Sequence, residues 1–455
     1  MEFTKRDFKG MQVMVAGSGI SGIGAAKMLD RCNAKITIYD GNENLKEEDI
    51  KEKLGGIDAK IVIGELQDEV IEENELVIIS PGIPIDAPFV ERIKEKGVTI
   101  WGEIELAYRN SLGKLAAITG TNGKTTTTAL VGKIMKNTYK DVYVVGNIGT
   151  SYADVAADTT ADSVTVAEIS SFQLESIEEF KPDVSAVLNI TPDHLNRHYT
   201  MENYASVKLK IAQNQQSDGI CVLNYDDVIL NQRHGEINAK VIFYSSKAEL
   251  EEGVFLKEDE IVMRLDGKEE CICKTDEMKL VGIHNVENVM AAVAISYYMG
   301  APVEVIRSTI KEFKAVEHRI EYVLERDGVI YYNDSKGTNT DASIKAIEAM
   351  TRPTILIAGG YDKGCEFDDW VMKLEGTVKR LILIGATKEK IAKTAEKYNY
   401  RNIIMAKDLE EAVKIAEQET VKGDAVLLSP ACASWDMFKS YEERGRMFKE
   451  FVRNL

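Results

Sequence analysis

The chain has no apolar run approaching the ~18 residues that a membrane-spanning helix requires, so no membrane segment is expected. Basic residues are in deficit: 56 Lys and Arg stand against 74 Asp and Glu, a formal net charge of −18. That balance excludes a general affinity for nucleic acid or anionic membranes. It leaves room for anionic small ligands, because one glycine loop and one lysine suffice to bind phosphate locally. Cysteine is sparse and scattered, at positions 32, 221, 271, 273, 365 and 432. Cys271 and Cys273 are close, but no second pair completes a zinc site, and their alternation reads as a strand carrying reduced thiols. The chain also lacks low-complexity linkers and short internal repeats, and has only 8 prolines. With 44% hydrophobic residues, this composition excludes a disordered chain. Residues 1–7 are charged and no apolar core follows them, so a signal peptide is not expected and a cytoplasmic protein is.

At ~100–200 residues per domain, 455 residues imply several domains. Three segments each begin with a strand, a glycine turn and a helix. The first predicts a strand over 11–16, a helix over 20–31 and a second strand over 35–39. The second predicts a strand over 114–119, a helix from Lys124, and buried strands over 164–167 and 185–189. The third starts near Glu317 and predicts strands over 322–324, 329–332, 354–358, 380–384 and 424–428. Strands separated by helices imply an α/β fold with parallel sheets covered on both faces. Ligands then belong at the carboxyl ends of the strands.

Gly17-Ser18-Gly19-Ile20-Ser21-Gly22 reads G-x-G-x-x-G after a strand, and Asp40 ends the next strand. The glycines allow a tight turn and close approach of a phosphate to the helix start, and Asp40 suits a ribose hydroxyl. Taken alone, this pattern fits NAD or FAD, another nucleotide, or a structural turn. It is the basis of an alternative reading as a dinucleotide-dependent oxidoreductase. The second loop is more specific. Gly120-Thr121-Asn122-Gly123-Lys124-Thr125-Thr126 lies between a strand and a helix. Its backbone N–H groups suit a triphosphate, Lys124 the terminal oxygens, and the Thr125 hydroxyl Mg²⁺. It departs from G-x-x-x-x-G-K-[ST] because position 118 is Ile. A dehydrogenase has no use for such a second loop.

Other candidates are weaker by themselves. Glu168 follows the strand over 164–167, where an acid faces the ligand crevice and metal-bound nucleotide. His194 sits in a proline-containing turn, where a histidine is by default a surface or structural residue. Lys208 lies in a helix expected over 201–215, where a lysine is by default solvated. Asn285 and Asn288 share one helix face and suit an adenine edge, unless Asn285 is a helix N-cap.

The run 119–126 resembles the ATP loop of the Mur ligase family, which includes folylpolyglutamate synthetases. Further stretches match in order: Gly146-Asn147-Ile148-Gly149, residues 168–175, 189–195 and 204–211, Gly282–Asn288, His318-Arg319, 333–339, 359–363 and 429–434. The resemblance covers nearly the whole chain. Ser80-Pro81-Gly82-Ile83 and the run from Ser429 to Gly445 look like the branch that ligates D-glutamate.

The resemblance implies three domains. An N-terminal Rossmann-like UDP-binding domain is expected over 1–110, a central P-loop ATPase-like domain over 111–316, and a C-terminal Rossmann-like α/β domain for the amino acid over 317–455. It implies a monomer acting on ATP, UDP-N-acetylmuramoyl-L-alanine and D-glutamate, with two Mg²⁺ ions. A sibling ligase with another amino acid or a folate-like substrate is the nearest alternative. By match to family positions, Lys124, Glu168, His194 and Lys208 are catalytic. Thr125, Glu168, His194 and Lys208, the last as a carbamate, are metal ligands. Lys210 is the rival of Lys208, but two residues along a helix differ by ~200°, so both cannot face one site. Gly120–Thr126, Asn285, Asn288, Arg319 and Asp334 are implied to bind ATP. Ile20, Ser21, Asp40, Ser80, Gly82 and Asn147 are implied to bind the UDP substrate, with Asn42 where some relatives carry Arg. Lys336, Thr338, Lys363, Ser434 and Tyr441 are implied to bind the amino acid, Tyr441 standing where some relatives carry Phe.

Overall fold

A computed structural model describes residues 8–147, 149–314 and 316–455; the readings made for residues 1–7 and for Ile148 lie outside the described residues. The chain forms three α/β domains, one around each of three sheets. The first sheet is built from β1 (Gln12–Ala16), β2 (Lys35–Asp40), β3 (Ala59–Ile63), β4 (Leu76–Ile79) and β5 (Thr99–Gly102). Its order is β3-β2-β1-β4-β5, all parallel. Side chains alternate across it. Val13 and Val15 enter one apolar core, and Met14 and Ala16 enter another on the opposite face. The chain reverses between β1 and β4, the switch point at which open α/β sheets bind ligands.

The second sheet contains β6 (Lys114–Thr119), β7 (Val142–Gly146), β8 (Val164–Glu168), β9 (Val184–Val187), β10 (Ile220–Asn224), β11 (Lys240–Ser245), β12 (Gly253–Lys257), β13 (Glu260–Leu265) and β14 (Lys268–Lys274). They lie in the order β14-β13-β12-β11-β10-β9-β6-β8-β7. The third sheet contains β15 (Glu321–Arg326), β16 (Val329–Asn333), β17 (Thr354–Gly359), β18 (Val378–Ile384), β19 (Ile403–Met405) and β20 (Ala425–Leu428), ordered β15-β16-β20-β17-β18-β19. Its two faces feed two cores, Leu356, Leu381 and Leu427 on one side, Ile355, Ile382 and Val426 on the other. The first two sheets fall in one compact unit, the chain up to Lys274 with Asn288–Ile310. The third falls in a second unit, Thr275–Glu287 with Lys311–Leu455.

Several expectations need correction. The sheets are not wholly parallel: β12, β13 and β14 form an antiparallel extension, and β15 pairs antiparallel with β16. Short turns at 258–259, 266–267 and 327–328, with Glu258, Asp266 and Asp327 at positive φ, make these hairpins. The strand expected over 185–189 ends at Val187, because Asn189 turns to hold the ATP loop. The helix expected over 201–215 ends at Leu209 and continues as one 3₁₀ turn, Lys210–Ala212. Beyond it, the Asn214 and Gln215 side chains bond backbone carbonyls of Glu178–Asp183 and Ile220.

Within the first unit, one buried carboxylate anchors the first domain on the second. Glu105 accepts hydrogen bonds from the backbone N–H groups of Glu178 (2.9 Å), Glu179 (2.8 Å) and Phe180 (3.0 Å), and from Arg109 Nε (2.7 Å). Glu105→Ala would leave three backbone donors, among them the buried N–H of Phe180, without their carboxylate, while Arg109 keeps its pairs with Glu178 and Glu179. We expect it to lower stability by about 2–4 kcal/mol in denaturant unfolding. A loss under about 1 kcal/mol would show that water replaces the carboxylate without penalty.

Candidate active site

The ATP-type loop leaves β6 at Thr119 and enters the helix Lys124–Thr138. Gly120 (φ 149°) and Gly123 (φ 85°) occupy backbone regions that favour glycine. A Cβ on Gly123 would also overlap Asn288 Oδ1. The loop is fixed from the next strand end. Thr121 N donates to Asn189 O (2.9 Å), Asn122 N donates to Asn189 Oδ1 (2.8 Å), and Asn189 Nδ2 donates to Asn122 O (3.1 Å). No local spacing marks Asn189 in the sequence, since its partner lies 67 residues away. The helix start has no side-chain cap, so its N–H groups suit a phosphate.

Two lysines converge on this loop. Lys124 Nζ donates to Gly120 O (2.8 Å) and Thr121 O (2.9 Å). Lys208 Nζ donates to the same Gly120 O (2.9 Å) and lies 4.6 Å from the centre of the Tyr204 ring. Lys208 is 1% exposed. Burial, reinforced by the Lys124 ammonium, drives its amine well below the ordinary lysine range, against the opposing pull of Asp193. Lys210 is half-buried.

Glu168 ends β8, beside β6, and is 1% exposed. Its Oε1 accepts from Asn147 Nδ2 (3.0 Å), while Oε2 is buried without a hydrogen-bond partner among the described residues. Asn147 therefore meets Glu168. His194 is half-exposed, at a φ of 53°, with its ring edge-on to Phe172 at 4.9 Å. His198, not anticipated, is the buried histidine of this turn. It bonds Ser171 Oγ (2.9 Å) and packs on Phe172 and Tyr204. Burial, aided by nearby Lys208, His194 and Arg197, lowers its imidazole to about 4. The H-x-x-x-H spacing was its only signal. Tyr204 Oη lies 3.2 Å from Thr121 Oγ1, which joins this aromatic group to the loop.

A cavity of about 600 Å³ opens at the switch point of the first sheet, lined by Gly17–Ser21, Tyr39–Asn42, Ser80–Pro84, Ala87 and Phe89. It brings Ile20, Ser21, Asp40, Ser80 and Gly82 together. Ile20 is 76% exposed at the helix start. Asp40 Oδ2 accepts from Ser18 N (2.9 Å) and Ser18 Oγ (2.6 Å), and Oδ1 accepts from Asn42 N (3.1 Å). Burial alone would raise this carboxyl, but those hydrogen bonds outweigh burial and hold it below the usual aspartate range. Asp40 thus shapes the glycine loop while keeping acceptor capacity toward the cavity.

In the second unit, the loops after β16, β17 and β20 carry Lys336 and Thr338, Lys363, and Ser434. Lys336 Nζ lies 5.3 Å from the Tyr441 ring, and Lys363 Nζ lies 5.4 Å from the exposed Trp435 ring. Two of the loops are tied by Arg444, which is fully buried. Its guanidinium donates to Ser335 O (2.8 Å), Ser335 Oγ (3.0 Å), Cys432 O (3.2 Å) and Ala433 O (3.3 Å). Asp334 accepts from Ser429 Oγ (2.7 Å) and Ile320 N (3.3 Å). Burial pushes its carboxyl up to about 7, against the Ser429 bond and the Arg319 charge. Arg319 Nε is buried without a partner among the described residues. Asn285 is not a helix N-cap: it lies inside the first turn of Ile283–Tyr298, and its Nδ2 donates to Val281 O (2.7 Å). Asn288 backs the ATP loop in the first unit, accepting from Thr127 Oγ1 (3.4 Å).

The tight donor grouping Glu317, His318 and Glu321 is spanned by Lys449, whose ammonium bonds Glu317 (2.5 Å) and Glu321 (2.9 Å). That is an ion-paired cluster. Among the described residues no helix is long and apolar enough to cross a membrane.

Residues 118–296 match the model of the Mur ligase middle domain. Residues 318–432 match that of the Mur ligase glutamate ligase domain, and residues 11–102 that of the Mur ligase MurD-like N-terminal domain. The chain is 51% identical over 451 residues to a UDP-N-acetylmuramoylalanine–D-glutamate ligase of Lachnoclostridium phytofermentans, covering 99% of each. It is 52% identical over 450 residues to the like-named protein of Lachnospira eligens, covering 99% of this chain and 100% of that one. The crystal structure of MurF ligase from Thermotoga maritima in complex with ADP shares the fold, with a TM-score of 0.61 at 16% identity, covering 99% of this chain and 97% of that one.

Proposed function

The chain belongs to the Mur ligase family, and from that premise we propose that it joins the amine of D-glutamate to the carboxylate of UDP-N-acetylmuramoyl-L-alanine, a step toward the peptidoglycan precursor. The observation that carries this reading is the likeness, 51 and 52% identical along essentially the whole chain, to two ligases named for that reaction. The enzyme is an ATP-dependent ligase. A carboxylate is a poor acylating agent, so ATP first phosphorylates it. The amine attacks the acyl-phosphate, a tetrahedral intermediate forms, and phosphate leaves. Cytoplasmic action as a monomer accompanies this reading.

The loop N–H groups of Gly120–Thr126 bind the triphosphate, and Lys124 holds its charge at the phosphoryl group being transferred. The donor set fits Mg²⁺: the unpartnered Glu168 Oε2 is buried beside the loop, and Thr125, His194 and a carbamylated Lys208 would complete the ligands for two ions. Bound there, Mg²⁺ would neutralise charge on the phosphate oxygens. The first-sheet cavity takes the uridine diphosphate rather than a dinucleotide, with Asn147 on the muramoyl–alanine side. Lys336 and Lys363, with Thr338, Ser434 and Tyr441, suit a dicarboxylate amino acid. Asn285, Asn288, Arg319 and Asp334 are assigned to ATP. Functional boundaries at 1–110, 111–316 and 317–455 follow the same assignment.

The test is phosphate release with UDP-N-acetylmuramoyl-L-alanine and a panel of D- and L-amino acids. Release is expected with D-glutamate, ATP and a divalent cation together, and near background when any one is omitted. Equal release with L-glutamate or L-alanine would reject the specificity.

A further inference from the structure

The turn that carries His194 is held to the wall of the nucleotide cavity. It is a four-residue helix, Leu195–His198, bounded by His194 at φ 53° and Tyr199 at φ 65°. Positive φ at two consecutive borders is unfavourable for residues with a Cβ, so something outside the turn must hold it. Two side chains do. Arg197 Nη2 donates to Ile83 O (2.8 Å), and Tyr199 Oη donates to Asp86 Oδ2 (2.7 Å). Ile83 lines the cavity, within the Ser80–Pro84 wall. The Arg197 guanidinium also pairs with Glu175 (2.5 Å) and lies 4.8 Å from the centre of the Phe172 ring. That ring also meets the edge-on imidazole of His194 at 4.9 Å and stacks on His198 at 5.5 Å. A continuous path of direct contacts therefore runs from the cavity wall through Arg197 and Phe172 to His194. Neither Arg197 nor Tyr199 touches the ATP loop in any contact described above.

We propose that Arg197 and Tyr199 are positioning residues that couple the first-domain nucleotide cavity to the His194 turn, so that filling the cavity favours the turn geometry used on the ATP side. The proposal rests on the reading of the cavity as the uridine-nucleotide site and of His194 as part of the ATP–metal site. Ligand packed against Ser80–Pro84 fixes the Ile83 carbonyl, which fixes Arg197, which sets the face that Phe172 presents to His194. Such coupling is reciprocal: ATP must tighten the uridine nucleotide by the same factor.

The experiment is calorimetric titration of the full chain with UDP-N-acetylmuramoyl-L-alanine, with and without a non-hydrolysable ATP analogue and Mg²⁺. Wild type is expected to show mutual tightening of about tenfold, and Arg197→Lys and Tyr199→Phe less than about threefold, with each ligand alone bound within about threefold of wild type. Arg197→Lys keeps a cation on Glu175, but one ammonium does not reproduce the fork that reaches both Glu175 and Ile83 O. Melting temperature separates this from loss of fold. If Arg197→Lys fails to fold, Tyr199→Phe, which removes one hydroxyl from an exposed side chain, decides alone. Undiminished coupling in the folded variants overturns the proposal, as does absence of coupling in wild type. A wild type that binds neither ligand overturns it together with the reading beneath it. A wild type that couples both ligands yet releases no phosphate with D-glutamate keeps the coupling and rejects only the ligase assignment.

Discussion

Lys124→Ala is expected to abolish acyl-phosphate formation, by about 10³-fold or more, while the protein melts near the wild-type temperature. The size of the effect follows from the position of the ammonium. It lies at the first residue of the helix Lys124–Thr138, over the carbonyls of Gly120 and Thr121. Phosphoryl transfer leaves little covalent work for the protein, so a cation at the transferring group supplies much of what the loop does. The fold survives because the loop is held by other groups. Asn189 bonds Thr121 and Asn122, and Lys208 still donates to Gly120 O. Rapid-quench measurement of acyl-phosphate should be paired with a melting curve on one sample. A folded variant with near-normal burst amplitude would remove Lys124 from the mechanism.

The part of the site legible in the sequence is the part written in short spacings. The strand Lys114–Thr119 and the helix starting at Lys124 follow directly from an apolar run, two glycines and a helix-forming tail. The same holds for Ile20–Arg31 after Gly17–Gly19. Helix rotation separates Lys208 from Lys210, and the choice of Lys208 rests on family position; the structure buries Lys208 and half-buries Lys210. What was hidden depends on distant partners. Glu105 is an unremarkable helical acid until Glu178, Glu179 and Phe180 bring their N–H groups to it from 73 to 75 residues away. Arg444 resembles any charge in an amphipathic helix, yet it closes two loops across 109 residues. The antiparallel extension was missed for a local reason. Lys268–Lys274 alternates as a strand in either orientation, and only the tightness of the turns before β13 and β14 distinguishes a hairpin from a crossover.

Lys208→Ala should lose most activity, on the order of 10²–10³-fold, and short carboxylates such as acetate should restore part of it. The side chain is buried, and its Nζ shares the Gly120 carbonyl with a second ammonium, that of Lys124. Two cations on one carbonyl repel each other, and a cation there would also repel any Mg²⁺ drawn to Glu168. Burial favours the neutral amine, and carbamylation would make the position anionic: the amine nitrogen bonds the carbon of CO₂, releases one proton and ends in an anionic oxygen pair. That group attracts the Lys124 ammonium and offers oxygen ligands of the kind Mg²⁺ takes. In Lys208→Ala the vacated volume lies beneath Tyr204, next to the loop, where a small carboxylate can replace the missing anion. Lys210→Ala is the control. Lys210 is half-buried and begins the 3₁₀ turn, so its loss should change activity by less than about twofold. Both variants should be assayed with and without acetate, and wild type in buffers depleted of and saturated with CO₂. Full activity of Lys208→Ala without rescue, or inactivity of Lys210→Ala, would exchange the two assignments. Wild-type activity indifferent to CO₂, together with a Lys208→Ala variant that no carboxylate rescues, would instead make Lys208 a cationic loop support, with its ammonium on Gly120 O as the working state.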